Sequence, residues 1–325
     1  MWKSIYRRHL PNQISLLKKI RAKQASRISN RTVTLSKVFF STIMANDQDI
    51  AKYFEFAKNL TLEAGELIKN ANNIEKVIES EWIEKGPVTN FDCQIEALLI
   101  NALSKEFPDH KFIAEETTGL SMLPELTDSP TWLIDPIDGT VNFLHSFSQY
   151  CISVGLAICK EMVLGIIYNP ITSELYTAKK GQGAFLNEKP IRVSKSTELK
   201  KSLLMFEVGI LRICKKRDII LARFLALIDS CQSIRNVGSA TLSMAYVAKG
   251  IIDCFHMDGL QPWDVAAGII IVAEAGGTLI DSKGGPFNLM KPNLIVASTT
   301  QLAHEVTKLI VDTDLKTQRK RLQRT

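Results

Sequence analysis

The segment Trp132-Leu-Ile-Asp135-Pro-Ile-Asp138-Gly-Thr140-Val-Asn142-Phe143 decides the fold and the chemistry of this chain. An apolar strand leads into Asp135, and Asp138 follows within the same turn. Asp-Pro and Asp-Gly pairs favour tight turns, in which both carboxylates can point at one place. Neighbouring carboxylates repel each other and prefer a cation between them, and hard oxygen ligands suit Mg²⁺ better than zinc. Taken alone, the segment is also compatible with an ordinary Asp-rich turn.

The backbone that follows the second carboxylate is suited to an anion. Gly139 and Thr140 lead into a predicted helix. The first N–H groups of a helix are unpaired and carry a positive dipole, so they form a natural seat for phosphate. The segment therefore predicts a cation and a phosphate group side by side.

Other carboxylates stand at the end of a strand or at the start of a helix. Each of them has an ordinary explanation when taken alone, as a solvated strand end or as a helix cap. Together they supply enough acidic oxygen for a metal site. They are Glu115 and Glu116 after strand Lys111–Ala114, Asp92 before helix Ile95–Phe107, and Asp264 in the first turn of helix Pro262–Ala275.

Strands and helices alternate along the rest of the chain, which predicts layered α and β structure. The apolar spacing predicts helices at residues 49–71, 239–249 and 299–311. Short apolar runs predict strands at residues 131–134, 150–158, 162–168, 251–256 and 295–297.

The composition is that of an ordinary globular protein, with 46% hydrophobic and 23% charged residues among 325. No apolar run is long enough for a membrane span, so we expect no membrane partner. The six cysteines are scattered and indicate reduced thiols in an intracellular protein. The net charge of +6 arises from residues 1–46, which hold ten Lys and Arg and no acid and leave the remainder at −4.

The two ends of the chain are basic, and several interpretations of them remain open. Residues 1–46 fit a mobile tail, a mitochondrial transit peptide or a nucleic-acid-binding arm, and Met44 is an alternative start. We expect a cytoplasmic protein, or a mitochondrial one if the leader is a transit peptide. Residues 312–325 are expected to form a basic C-terminal tail. The body lacks stacking aromatics and a basic stripe, so no nucleic-acid partner is expected.

The order of these segments resembles the inositol monophosphatase family. The resemblance covers residues 47–311 and implies one catalytic domain, with an α/β fold in a layered αβαβα sandwich of the inositol monophosphatase and fructose-bisphosphatase type. It also implies a homodimer, a small phosphorylated polyol as substrate, Mg²⁺ as cofactor and inhibition by Li⁺. The matching residues are Asp92, Glu115-Glu116, Asp135-Pro-Ile-Asp138-Gly-Thr140, Gly181–Phe185, Ile234–Ala240 and Trp263-Asp264.

The resemblance also implies a role for each matching residue. Thr140, paired with Asp92, would orient and help to deprotonate the attacking water, with Glu115 as a further catalytic group. The metal ligands would be Glu115, Asp135, the Ile137 carbonyl, Asp138 and Asp264. The substrate would contact Ile137, Asp138, Gly139, Thr140, Gly238, Ser239, Ala240, Met257 and Asp264.

Met257 departs from the family pattern, which places a hydroxyl-binding glutamate at this position. Methionine forms no strong hydrogen bond, so the preferred alcohol is expected to differ, unless Asp258 substitutes through a one-residue shift of the backbone. The expected function is hydrolysis of inositol monophosphate to inositol and phosphate. The alternatives are a phosphatase for another sugar phosphate or a 3′-phosphonucleotide, and a phospho-ligand-binding protein with little catalysis.

Overall fold

The structure is a computed structural model that describes residues 47–71, 90–119, 122–212 and 216–323. Residues 47–325 form one compact unit. The basic segment 1–46, about which the sequence leaves several interpretations open, lies outside the described residues. Within the described ranges, no helix has both the length and the apolar character that a bilayer crossing requires.

Two β-sheets form the framework. In the first, β1 and β2 are parallel and every other neighbouring pair is antiparallel. Its strands, in spatial order, are β1 (Lys111–Ala114), β2 (Thr131–Asp138), β3 (Cys151–Ile158), β4 (Glu161–Asn169), β5 (Glu174–Lys179), β6 (Ala184–Leu186) and β7 (Lys189–Ile191).

The second sheet has the spatial order β11-β12-β10-β8-β9. The pairs β10–β8 and β8–β9 are parallel, whereas β10–β12 and β11–β12 are antiparallel. The strands are β8 (Leu203–Phe206), β9 (Ser233–Arg235), β10 (Cys254–Asp258), β11 (Thr278–Asp281) and β12 (Asn293–Ala297).

Helices cover both sheets. The helices are α1 (Asp47–Ala71), α2 (Asn90–Glu106), α3 (Glu115–Thr118), α4 (Thr140–Leu144), α5 (Arg217–Ser230), α6 (Ala240–Ala248), α7 (Pro262–Glu274) and α8 (Thr300–Leu322). Short 3₁₀ turns lie at Leu199–Lys201 and Val208–Arg212. Helices α1 and α2 pack on the first sheet, α6 and α7 lie between the sheets, and α5 and α8 cover the far face of the second sheet. This order confirms the predicted αβαβα sandwich.

The middle layer is apolar on all sides because it is covered by a sheet on each face. Every residue of α6 is buried, and its faces contribute to one core with α7 and both sheets. Helix α7 approaches the first sheet closely at Gly165, where an added Cβ would lie 2.6 Å from the Ala267 carbonyl oxygen. Glycine at this position allows α7 to pack closely against β4, and this packing helps to determine where the N-terminus of α7 lies.

Several element boundaries differ from the sequence predictions. Strand β2 continues to Asp138, and β10 is shifted towards Asp258 because its pairing with β12 extends there. Asp92 lies inside the first turn of α2 rather than before it. The last helix does not end at Val311. Residues 312–322 continue it as part of α8 rather than forming a tail, because Asp314 is fixed to Arg223 of α5.

Candidate active site

Carboxylates from three parts of the fold meet where the first sheet faces the middle helices. Glu115 is the first residue of α3, Asp135 and Asp138 lie at the end of β2, and Asp264 is in the first turn of α7. The pKa of each carboxyl is raised by burial and, for Glu115, Asp135 and Asp264, by the charge of the others. The structure therefore brings together the predicted side chains from β1–α3, β2 and α7.

Glu115 and Asp135 interact directly. Burial and the charge of Asp264 raise the pKa of Glu115 well above its usual range. Burial and the charge of Glu115 raise the pKa of Asp135 in the same direction. Two acids in such surroundings are stabilised by a proton or by a cation between them, so a metal ion could supply the positive charge that this pair favours.

Asp138 is oriented by the N-terminus of α6. Its Oδ2 accepts from the Ser239 hydroxyl at 2.5 Å and from the Thr241 backbone N–H at 2.7 Å. Ser239 is also the N-cap of α6, since its Oγ accepts from the Leu242 N–H. These donors lower the pKa of Asp138, but burial outweighs them and the net shift is upward.

Asp264 has two roles. Its Oδ2 accepts from the Gln261 N–H at 2.7 Å in a capping box, so it stabilises the start of α7 as the ordinary interpretation predicts. Burial and the neighbouring Asp138 charge nevertheless raise its pKa to about 7. A helix cap alone favours the ionised form, so burial, together with the charge of Asp138, outweighs the cap.

The donor chemistry of this cluster fits a hard divalent cation. Four carboxylates supply oxygen ligands only, and the salt bridges among the described residues include none of them. Over the same ranges, no group of three or more His, Cys, Asp or Glu side chains is already in position to hold a metal ion. Burial and nearby negative charge raise the pKa of both Glu115 and Asp135, and loss of their protons would free both carboxylates for a metal.

The predicted water-activating pair also lies here. The Thr140 hydroxyl is 3.5 Å from Asp92 Oδ1 and 3.2 Å from the Ile137 carbonyl oxygen. Asp92 is only 1% exposed. The hydroxyl can donate to one of these acceptors at a time, and it can accept a further hydrogen bond from a water molecule. The geometry thus suits a relay from water through Thr140 to Asp92.

Gly139 shapes the backbone between the carboxylates and α4. Its φ of +95° and the 2.9 Å separation between an added Cβ and the Gln149 carbonyl oxygen both require glycine. The neighbouring Asn142 donates to the Gln149 and Val237 carbonyls at 2.6 and 2.7 Å. Asn142 therefore joins the β2–α4 turn to the segment that contains Gly238, Ser239 and Ala240.

Met257 occupies the same side of the second sheet as the middle helices, where it packs against the central core. Asp258 does not take its place. The Asp258 carboxylate accepts from Arg223 Nη1 of α5 at 2.6 Å, on the opposite face of the sheet. The pairing of Met257 with Leu294 and of Asp258 with Asn293 holds this register, and a one-residue slip would turn every side chain to the wrong face. The one-residue shift considered from the sequence is therefore wrong.

Two buried glutamates support the site and escaped the sequence analysis. Glu96 accepts from the backbone N–H groups of Glu116 and Thr117, both at 2.7 Å, and so holds α3. Glu207 accepts from Val237 and Gly238 and holds the approach to α6. The one sequence signal that could have indicated such a residue is an acid at a buried position of a predicted helix, as Glu96 is among Ile95, Leu99 and Leu103.

Comparisons with known proteins agree with this geometry. The model of the inositol monophosphatase family matches residues 49–314. Inositol monophosphatase 2 of Rattus norvegicus is 40% identical over 251 residues, which cover 77% of this chain and 87% of the rat protein.

Solved structures show the same likeness. An inositol monophosphatase from Anabaena superposes with a TM-score of 0.70 at 30% identity, over 81% of this chain and 97% of that one. Staphylococcal IMPase-II with inositol monophosphate bound gives 0.69 at 26% identity, over 84% and 100%. The same enzyme has also been solved with 2′-AMP bound, with a TM-score of 0.70 at 27% identity over 85% and 100%. This chain therefore belongs to the inositol monophosphatase family.

Proposed function

We propose that this protein is a Mg²⁺-dependent phosphomonoesterase that hydrolyses inositol monophosphate to inositol and phosphate. One observation carries the proposal: four carboxylates, of which Asp135 is fully buried, meet beside a Thr–Asp pair and a glycine turn that leads into a helix. Glu115, Asp135, Asp138, Asp264 and the Ile137 carbonyl would hold the metal. Mg²⁺ in this position supplies positive charge that stabilises phosphate oxygens and makes water easier to deprotonate.

The residues of this chain perform the remaining tasks. Thr140 accepts a hydrogen bond from the attacking water and passes a proton towards Asp92, which is buried and within reach. The backbone N–H groups of Gly139 and Thr140 bind phosphate oxygens at the start of α4. Ser239 and Thr241 hold the Asp138 carboxylate in one orientation, so this metal-binding side chain does not have to reorient during the reaction.

The alternative substrates belong to the same chemistry. Staphylococcal IMPase-II has been solved with inositol monophosphate bound and with 2′-AMP bound, so that related protein binds phosphate esters of both a polyol and a nucleoside. Methionine at position 257 favours some relaxation towards another sugar phosphate or a phosphonucleotide. The intact carboxylate cluster disfavours a phospho-ligand-binding protein without catalysis, because clustered buried acids cost stability when they serve no purpose.

The experiment is phosphate release by the full chain from inositol monophosphate, glycerol phosphate, 3′-AMP and p-nitrophenyl phosphate. We expect activity with Mg²⁺, loss of it in excess chelator, recovery on Mg²⁺ addition and inhibition by Li⁺. Full activity in chelator would overturn the metal assignment. Glu274→Gln is the matched control, because Glu274 accepts only backbone N–H groups from Gly181 and Gly183.

We also propose that two copies form a dimer. Leu221, Leu225 and Ile228 share one face of α5 and are 46%, 52% and 46% exposed, a spacing that lines up apolar side chains. A second copy of this chain would cover them. Leu225→Glu should shift the mass measured by light scattering from dimer to monomer, whereas Leu67→Glu on α1 should not. A monomeric wild-type protein would contradict the dimer.

A further inference from the structure

Glu207 and Met257 lie close together at the C-terminal ends of the neighbouring strands β8 and β10. Strands β8 and β10 are parallel, with Met205 paired to Phe255 and Phe206 paired to His256. Glu207 is the first residue after β8, and the same register continued by one step sets it opposite Met257; both residues line one small cavity. Side chains alternate along a strand, so these two project to the face that carries Met205 and Phe255, which is the face of the middle helices.

The carboxylate of Glu207 belongs to the active-site side. It accepts from the Val237 N–H at 3.2 Å, the Gly238 N–H at 3.0 Å and the Asn236 side-chain amide at 3.0 Å. The segment 236–238 in turn leads into Ser239, which donates to Asp138. Glu207 is 6% exposed. The Ser243 hydroxyl donates to the Ser239 carbonyl and also acts to lower the pKa of Glu207. A carboxylate offers about four acceptor positions, and the three donors at hydrogen-bond distance occupy three of them.

A small cavity adjoins this carboxylate. Its volume is about 20 Å³, and it lies between the ends of β8 and β10 and helix α5. Glu207 and Met257 line it together with Ile220, Arg223, His256 and Asp258, among others. That volume suits one water molecule or one hydroxyl group. On the far side of the same cavity, Asp258 is engaged by Arg223, which also binds Asp314. Glu207 is therefore the acid of this cavity that projects to the catalytic face of the sheet.

We propose that Glu207 accepts a hydrogen bond from a hydroxyl group of the leaving alcohol, and so selects hydroxylated alcohols although position 257 is methionine. The family pattern places the hydroxyl-binding carboxylate on β10, at position 257. In this chain the carboxylate would come from Glu207, at the end of the neighbouring strand β8 and on the same face of the sheet. This assignment rests on the proposed phosphatase function and names the residue that sets its alcohol preference.

The test compares the full-length wild type with Glu207→Gln on two substrates. Inositol monophosphate has hydroxyl groups on its alcohol, whereas p-nitrophenyl phosphate has none. A lost hydrogen bond between a hydroxyl and a charged acceptor corresponds to about a tenfold to hundredfold effect. We expect kcat/KM for inositol monophosphate to fall at least about tenfold more than kcat/KM for the aryl phosphate. Glu274→Gln, which also removes a carboxylate that accepts backbone N–H groups, should leave the ratio of the two substrates unchanged.

Each outcome decides between defined alternatives. An equal fall on both substrates would show that Glu207 only holds the segment 236–238, and would overturn the proposal while leaving the phosphatase function intact. A wild type inactive on every monoester would overturn the function and this assignment together. If Glu207→Gln does not fold, Glu207→Asp serves instead, because it keeps an acceptor for the loop but withdraws it from the cavity. The same selective loss is expected, and a parallel loss would contradict it.

Discussion

Asp264 shows how one side chain can serve both the fold and the site. It caps α7 through the Gln261 N–H, yet it also belongs to a cluster whose charges repel. The cap favours the carboxylate, whereas the cluster opposes it. The pKa is raised to about 7, first by burial and then by the charge of Asp138, so these two influences outweigh the cap. This conflict is expected where a site needs charges that the fold alone would avoid.

Asp264→Asn separates these two influences. The amide oxygen can still accept from the Gln261 N–H, but the charge that repels Asp138 and Glu115 is gone. We expect the metal-free protein to be stabilised, by about 2–4 °C in Tm for each kcal/mol of relieved repulsion. Turnover should fall at least about 100-fold, since even outer partners of a metal ligand are worth about 10–100-fold. The measurements are thermal unfolding in chelator and kcat on one preparation. A loss of activity that follows a fall in Tm would instead support a purely structural role.

The raised pKa values also predict how stability depends on pH. Burial raises the pKa of both Asp264 and Glu116 to about 7 in the folded state, from ordinary values of 3.8 and 4.5. Protonation therefore favours the folded protein, and this contribution is complete below about pH 4 and is lost as the pH rises to about 7. Without metal, Tm should fall between about pH 5 and about pH 7.5.

Mg²⁺ should reverse this trend, because it binds the ionised carboxylates. We expect added Mg²⁺ to raise Tm more at about pH 7.5 than at about pH 5. Asp264→Asn should show a shallower fall of Tm with pH in chelator. A metal-free Tm that increases steadily through this range would contradict the assigned pKa shifts.

At the scale of elements, the position of α7 decides whether the site assembles. Asp264 is carried by the first turn of α7, and the helix rests on the first sheet at Gly165. An alanine there would place its Cβ 2.6 Å from the Ala267 carbonyl oxygen and from Ile270 Cγ2. The backbone of α7 cannot give way as a flexible side chain would, so the helix itself must move.

Gly165→Ala should therefore lower both stability and turnover. We expect a loss of about 1–3 kcal/mol in the free energy of unfolding, the usual cost of overpacking, measured by denaturant titration. Turnover should fall further than the folded fraction does, because Asp264 moves with the helix. Gly285→Ala is the matched control, since an added Cβ there meets nothing within 4 Å. Equal effects of the two substitutions would contradict this account of α7.

At the scale of the whole molecule, the basic leader and the catalytic unit are separable in sequence. The matched family region is 49–314, and every proposed site residue lies within it. We expect residues 44–325 to hydrolyse the same monoesters with kcat/KM within about twofold of the full chain, because the leader contributes no ligand. Loss of activity at equal folded concentration would show that the leader takes part in the site.

The compartment is a separate prediction for the same segment. Residues 1–46 are basic and contain no acid, a composition that is compatible with a mitochondrial transit peptide. We propose that a fluorescent fusion of residues 1–50 enters mitochondria. A fusion that stays in the cytosol would reject that interpretation without affecting the catalytic proposal.

The sequence by itself determined the features that are local along the chain. The strand ending in Asp135 and Asp138, the acids after β1 and the cap at Asp264 are each visible within a few residues, and so is the alternation that places helices between strands. The order of these motifs along the chain was sufficient to predict both the family and the layered fold. The shorter strands β5, β8, β9 and β11 were missed, since a run of three to six residues has no clear period. Helix α5 was missed because its apolar residues lie on several faces, so no single apolar stripe marks it.

The tertiary structure alone decided which of these residues face one another. Asp264 meets Asp138 because α6 and α7 lie between the sheets, and Glu207 lies beside Met257 because β8 and β10 pair in parallel across a long connection. Asp258, adjacent to Met257 in sequence, faces Arg223 on the other side. The physical reason is that side chains alternate between the faces of a strand, so neighbours in sequence separate while distant residues meet on one face.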